Sequence, residues 1–196
     1  MTLNGKRIGF GLTGSHHTFE HIFPKIEELI SLDAEVIVFA TETVQYTDTK
    51  HGKAADHIER LEEITGHPVI RTIPEAEPFG PDRPLDVMVV APLTGNSMSK
   101  FAHAHTDNSV LMAAKSTLRN NQPVVLGMTT NDALGLNAVN LATLLNSKNI
   151  YFIPFGQDHP FKKPNSLSAK LDFLIPTVEK ALQGKQLQPI IVPYQE

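Results

Sequence analysis

At 196 residues the chain is long enough to bury one substantial core and short for two full domains, so a single domain spanning 1–196 is expected. Hydrophobic residues make up 41% and charged residues 19%, and a net charge of −4 without acidic or basic blocks argues against a nucleic-acid partner. The absence of cysteine excludes a disulfide framework, thiolate-bound zinc and a thiol nucleophile, while the lack of a secretory leader pattern or an apolar run of about 18 residues points to a cytoplasmic protein without a membrane partner.

Residues 6–12 (KRIGFGL) read as a buried strand entering the turn Thr13-Gly14-Ser15, and 16–31 carry helical periodicity through Phe19, Ile22, Phe23, Ile26 and Leu29, with Pro24 expected to kink the helix or mark a late start. Gly9, Gly11 and Gly14 spell G-x-G-x-x-G, so a nicotinamide dinucleotide turn over Gly9–Gly14 is one reading. The residue closing the second strand (35–40) is Thr41 and not the acid that would hold a ribose, which favours a register with Gly9 and Gly11 inside the strand and Gly14-Ser15 as its exit.

Residues 43–52 are polar and irregular, 54–65 form a helix stopped by Gly66 with Ala55, Ile58, Leu61 and Ile64 inward, and 69–73 suggest a short strand. Prolines 74, 78, 81 and 84 make 74–84 a loop. Val87 to Ala91 is too continuously apolar for a half-exposed strand and too short for a helix, so it is a buried parallel strand. It runs into Thr94-Gly95-Asn96-Ser97 and then a helical stretch through Met98, Phe101 and Ala102. A strand that hands over to a helix there presents unpaired N–H groups and the positive dipole end, a setting for a phosphate. An ordinary N-cap is the plain alternative.

A second helix follows at 110–121, with Lys115 and Arg119 on its exposed side, then a strand at 122–128 that exits through Thr129-Thr130-Asn131-Asp132. Residues 134–146 read as a helix, 149–154 as a strand, 155–166 as a loop rich in Pro, Lys and His, and 167–183 as a final helix interrupted near Pro176. The apolar tail 186–196 is expected to dock on the body or on a partner. Strands alternating with helices argue a three-layer Rossmann-like α/β fold, a mainly parallel sheet with helices on both faces.

The stretch APLTGNSMSKFAHAHTDN resembles the signature P-A-[ST]-A-N-T-x-x-K-x-A-x-G-x-x-D-N-L of the FMN-binding, decarboxylase-like flavoproteins. Pro92, Thr94, Asn96, Ser97, Lys100, Ala102, Asp107 and Asn108 fall in register, while His105 stands at the usual Gly, and Ser109 followed by Val110 replaces the usual Leu. The resemblance implies FMN held by Gly14 and Ser15 after the first strand, Thr41 after the second, Thr94, Gly95, Asn96 and Ser97 after the central one, and Thr129 and Asn131 near the next. It also implies a homo-oligomer, a trimer or a multiple of one. The decarboxylases use a histidine shortly before the fourth strand; Arg71-Thr72-Ile73 stands there instead, so oxidative decarboxylation of a cysteinyl substrate is not expected.

The segments GKRIGFGLTGSH, APLTGNSMSK, RNNQPVVLGMTTNDALGLN and NIYFIPFGQDHPFKKPNS carry a likeness over residues 4–190 to a different member type. That type implies an oxidoreductase subunit that works with a dehydrogenase-like partner subunit on a small dicarboxylate, with NADP on the partner. A non-redox scaffold supporting that partner is the alternative. No residue is singled out as catalytic. His17 and His21 share one helix face at i, i+4 spacing, yet no third ligand is signalled and no metal is expected. His16 and His17 are candidates to meet an anion at the first turn, and Lys162 and Lys163 to meet an acidic substrate.

Overall fold

The computed structural model describes residues 3–194. Its strands and helices run β1 (Arg7–Leu12), α1 (Phe19–Ser31), β2 (Glu35–Ala40), α2 (Glu42–Tyr46), α3 (Ala54–Thr65), α4 (Ile73–Ala76), β3 (Val87–Leu93), α5 (Gly95–Ala102), α6 (Ser109–Arg119), β4 (Val124–Thr130), α7 (Ala138–Leu145), β5 (Ile150–Phe152), β6 (Phe155–Gly156), β7 (Leu167–Ala169) and α8 (Leu174–Ala181). Five parallel strands in the order β2-β1-β3-β4-β5 form the sheet, and β7 and β6 extend it antiparallel from the far end of β4. Alternate residues of one strand serve opposite faces. Val36, Val38, Val87, Val89 and Val125 meet α1 and α8, whereas Ile37, Phe39, Met88, Val90, Val124 and Leu126 meet the α6 side. This is the expected α/β three-layer Rossmann-like arrangement.

On the α6 face β1 contributes Gly9 and Gly11. A Cβ at Gly11 would stand 2.6 Å from Val110 Cγ1 and 2.8 Å from Met88 Cε, and one at Gly9 would stand 2.5 Å from Leu85 Cδ1. These glycines exist to let α6 and β3 close on the strand. The dinucleotide turn is therefore corrected: both residues lie inside β1, paired to β2 and β3, and face a core, with no ligand-facing turn between them.

Several boundaries differ from the sequence expectations. The residues after β2 are helical over Glu42–Tyr46, and 69–73 contribute one bridge, Phe39 to Ile70, in place of a strand. The proline-rich segment opens on a helical turn, because Thr72 and Glu75 form a reciprocal capping box: Thr72 Oγ1 accepts from the Glu75 N–H, and the Glu75 carboxylate accepts from the Thr72 N–H. α3 buries Ala54 with Ile58 and Leu61, not Ala55, and stops at Gly66 in the left-handed region at φ 67°. α1 runs through Pro24 to Ser31. Residues 167–183 are not one helix: Leu167–Ala169 pair with β4 and β6, and α8 starts at Leu174, which places Pro176 in its first turn, where the missing N–H costs nothing. The tail does dock on the body. The Gln186 side chain accepts from the Phe152 N–H and donates to the Phe152 carbonyl, and the Val192 N–H donates to the Phe155 carbonyl. Residues 195–196 lie outside the described residues.

Candidate functional site

β1 is flanked by β2 on one side and β3 on the other, so the chain leaves β1 in one direction and must recross it to build β3. The carboxyl ends of β1 and β3 therefore diverge, and the gap between them is the topological switch point where ligands settle in open α/β sheets. One side chain ties the two ends together. The fully buried Thr13 hydroxyl donates to the Pro92 carbonyl at 2.7 Å and accepts from the Thr94 N–H at 3.0 Å. The end of β2 is fixed in a similar way: Gln45 Nε2 donates to the Ala40 and Arg71 carbonyls, and the buried Ser109 hydroxyl lies 3.0 Å from the Ala40 carbonyl and 3.1 Å from that of Ile70. Sequence reasoning did not select Thr13 or Gln45. Ser109 showed only as a polar residue at an expected Leu, and that substitution was the available signal.

The resulting cavity, about 340 Å³, is lined by Gly14, Thr41, Thr94, Asn96, Ser97 and Lys100 with their neighbours. Thr94 caps α5; its Oγ1 lies 3.4 Å from the Ser97 N–H and 3.2 Å from the Ser97 hydroxyl. The first N–H groups of α5, from Gly95 and Asn96, have no acceptor within the helix. Asn96 is exposed, and Thr41 is buried with an Oγ1 that has no hydrogen-bond partner among the described residues. A buried hydroxyl left unpaired costs on the order of 1–3 kcal/mol, so it favours a ligand oxygen in this cavity. Lys100 does not offer a free charge. Its ammonium pairs with Asp107, whose carboxyl is held below the usual range chiefly by that hydrogen bond. Asp107 is followed by Asn108, whose Oδ1 accepts from the Leu111 N–H and caps α6.

A second cleft of about 590 Å³ opens on the other side of the same turns, with Ser15, Gly95, Thr129 and Asn131 on its walls and Thr94 shared. The nine residues expected to form one cradle thus divide: Gly14, Thr41, Thr94, Asn96 and Ser97 line the first cavity, and Ser15, Gly95, Thr129 and Asn131 the second. The division falls at the two turns themselves: Gly14 and Ser15 line different spaces, as do Gly95 and Asn96, while Thr94 borders both. Gly95 also has a reason of its own. A Cβ there would stand 2.6 Å from Thr130 Oγ1, 2.8 Å from Asp132 Oδ1 and 2.9 Å from Asn137 Nδ2, a polar cluster in which Asp132 accepts from Thr130 and Asn137. His17, Lys50, His51, Asp158 and Lys163 complete the second cleft; of these, sequence reasoning named only His17 and Lys163. Lys162 is exposed and lines neither cavity.

His16 does not reach either space. It is buried against Phe19 at a centroid distance of 5.0 Å and lies 6.1 Å from His57, which meets Phe19 and Phe23 edge-on. Both imidazoles carry a buried Nε2 without a partner among the described residues. Burial is the largest cause lowering the affinity of each for protons, followed at His16 by the opposing Gly14 backbone contact and the His57 charge, and at His57 by the opposing Asp56 and then Arg60. The native state therefore prefers both rings neutral, whereas the unfolded chain takes up protons near the ordinary value of about 6.5. Stability present above that pH falls as the pH drops below it, levelling off only once the native rings protonate as well. Thermal melts from pH 7.5 to 5 should show this decline, and His57→Gln should flatten it; an unchanged slope would contradict it.

The family model described as Flavoprotein matches residues 1–167. The B subunit of dipicolinate synthase from Bacillus subtilis is 61% identical over 191 residues, covering 97% of this chain and 96% of that protein. The crystal structure of the B subunit of dipicolinate synthase from Bacillus halodurans superposes with a TM-score of 0.92 at 54% identity, covering 100% of both chains. An FMN-dependent cysteine decarboxylase, SpaF, shares the fold at a TM-score of 0.65 and 18% identity, over 92% of this chain and 97% of that one. With its switch-point cavity, its sheet order and these relatives, the chain belongs to the Flavoprotein family.

Proposed function

We propose that the chain is the flavoprotein subunit of a dipicolinate synthase, working with the dehydrogenase-like A subunit of that enzyme to convert 4-hydroxy-tetrahydrodipicolinate to dipicolinate in sporulation. The conversion removes one water and one pair of hydrogens from the ring, and a nicotinamide dinucleotide on the dehydrogenase-like partner, NADP by this reading, is the electron acceptor. The chain thereby serves an oxidoreductase, and a homo-oligomer, a trimer or a multiple of one, is part of the same reading.

The observation that carries the cofactor assignment is the buried, unpartnered Thr41 hydroxyl set in one cavity with the N-terminus of α5. The residues fit FMN. The free N–H groups at the start of α5 and the hydroxyls of Thr94 and Ser97 suit phosphate oxygens, Asn96 can bond to either a phosphate or a sugar alcohol, and Gly14 leaves the wall low. When bound, the flavin supplies two-electron redox chemistry, while the protein orients it and excludes competing reactions. Thr13 holds the two strand exits at fixed separation, and the Lys100–Asp107 pair fixes the turn between α5 and α6.

Titration of the purified protein with FMN, followed by flavin fluorescence, tests the reading. Thr41→Val and Ser97→Ala should each weaken binding by about tenfold, the loss of one hydrogen bond to a charged or buried partner. A parent chain that leaves flavin fluorescence and calorimetric heats unchanged would overturn the cofactor assignment. If that chain still accelerates dipicolinate formation by the dehydrogenase-like partner, the scaffold reading replaces it.

A further inference from the structure

The second cleft brings four basic side chains, two lysines and two histidines, together with two carboxylates. Lys50 and His51 come from the segment between α2 and α3, His17 from the turn ahead of α1, and Lys163 from the segment between β6 and β7. The His17 and His51 rings lie 6.2 Å apart. Neither Lys50 nor Lys163 takes part in an ion pair within 4 Å among the described residues, although Lys6, Lys25 and Lys100 all do. Two carboxylates face the same space. Asp132 is already engaged by Thr130 and Asn137, and Asp158 has one oxygen buried without a hydrogen-bond partner among the described residues. Asp158 is ionised readily: burial works against its charge, but Ser166, its own backbone and Lys163 together hold its proton affinity below the usual range.

The floor of the cleft is Thr94 and Thr129 with the Ser15 hydroxyl, which lies 3.3 Å from His17 Nδ1. Thr94 belongs to both cavities, so a ligand in one touches the wall of the other. We propose that this cleft is the dicarboxylate subsite, with Lys50 and Lys163 as opposing cationic walls for two carboxylates and His17 as a third donor between them. The assignment rests on the synthase reading and adds to it the residues that recognise the substrate class.

His17 has its proton affinity lowered first by burial and then by the charges of His51 and Lys163, with His21 adding to these and Asp158 opposing them. An anion seated beside the same cations opposes the electrostatic part of that effect, so binding raises the proton affinity of His17 and draws a proton onto it. Proton uptake is a signature that simple surface attraction to lysines does not give at a defined residue.

The test is calorimetric titration of the FMN-loaded protein with pyridine-2,6-dicarboxylate at pH 6.5 in two buffers of different ionisation enthalpy. Lys50→Ala and Lys163→Ala are each expected to weaken binding by about tenfold, the loss of one charge-assisted contact, while FMN affinity stays at the parent value. Pyridine-2-carboxylate should bind more weakly than the diacid, and His17→Gln should abolish the buffer-dependent difference in heat. All three side chains are exposed, so these variants fold. A parent protein that binds FMN but gives no heat with the diacid, or lysine variants that bind it as the parent does, would overturn the subsite while leaving the flavoprotein reading intact. Failure to bind FMN would instead strike the reading on which it rests.

Discussion

Gly11→Ala should lose about 1–3 kcal/mol of stability, the usual cost of forcing a methyl into a filled core, and Gly11→Val more. The added carbon meets Val110 on α6 and Met88 on β3 at distances no side chain tolerates, and only movement of α6 relieves it. Urea unfolding with and without saturating FMN separates the two roles a glycine can have here. If Gly11 serves core closure, the loss appears in the apoprotein, and the double variant Gly11→Ala, Val110→Ala recovers part of it, because the two Val110 γ-methyls that the added carbon meets are gone. A stable Gly11→Ala protein with impaired nucleotide binding would restore the dinucleotide-turn reading.

Thr13→Val should be at least as damaging as Gly11→Ala, at about 2–4 kcal/mol, although it changes the side-chain volume little. It leaves the Pro92 carbonyl and the Thr94 N–H, both at the junction of β1 and β3, without their partner, and each unsatisfied buried group costs on the order of 1–3 kcal/mol. Thr94 begins the turn that caps α5, so flavin affinity should fall together with stability. Thr13→Ser keeps the hydroxyl and should restore affinity, with a smaller stability loss from the missing methyl group. A Val variant that behaves as the parent does while Ser is defective would show that the methyl group, and not the two hydrogen bonds, is what the junction needs.

The central architecture was legible because its strands are buried on both faces and its helices begin and end at recognisable residues. Val87 to Ala91, the Thr94 cap and the Gly66 stop signal themselves locally, and each stands where the periodicity put it. The cradle residues were legible as a group for the same reason, since in a parallel sheet all strand exits lie on one edge. Their partition into two spaces was not, because it depends on which way Ser15 and Gly95 face in three dimensions. Leu167–Ala169 read as helix because a three-residue strand carries almost no period, and only its pairing with Thr129 and Thr130 on one side and Phe155 and Gly156 on the other makes it a strand. Thr72 and Glu75 did carry a local sign, the T-x-x-E capping box, which the four neighbouring prolines obscured. Lys50 and His51 could not be found from spacing, since they reach the second cleft from a polar segment with no pattern of its own.

The docked tail has a consequence for how copies or other chains can meet this molecule. Phe152 has both main-chain groups occupied by Gln186, and Phe155 has its own taken up by Ile190 and Val192, so the short strands on that flank offer few open rungs to a stranger. Sheet-to-sheet joining across that flank is thereby discouraged, as it is in many proteins that shield a lateral margin. Any assembly formed there has to be built from side chains, and the exposed Leu134, Leu145, Ile191 and Tyr194 around one apolar cleft are on offer.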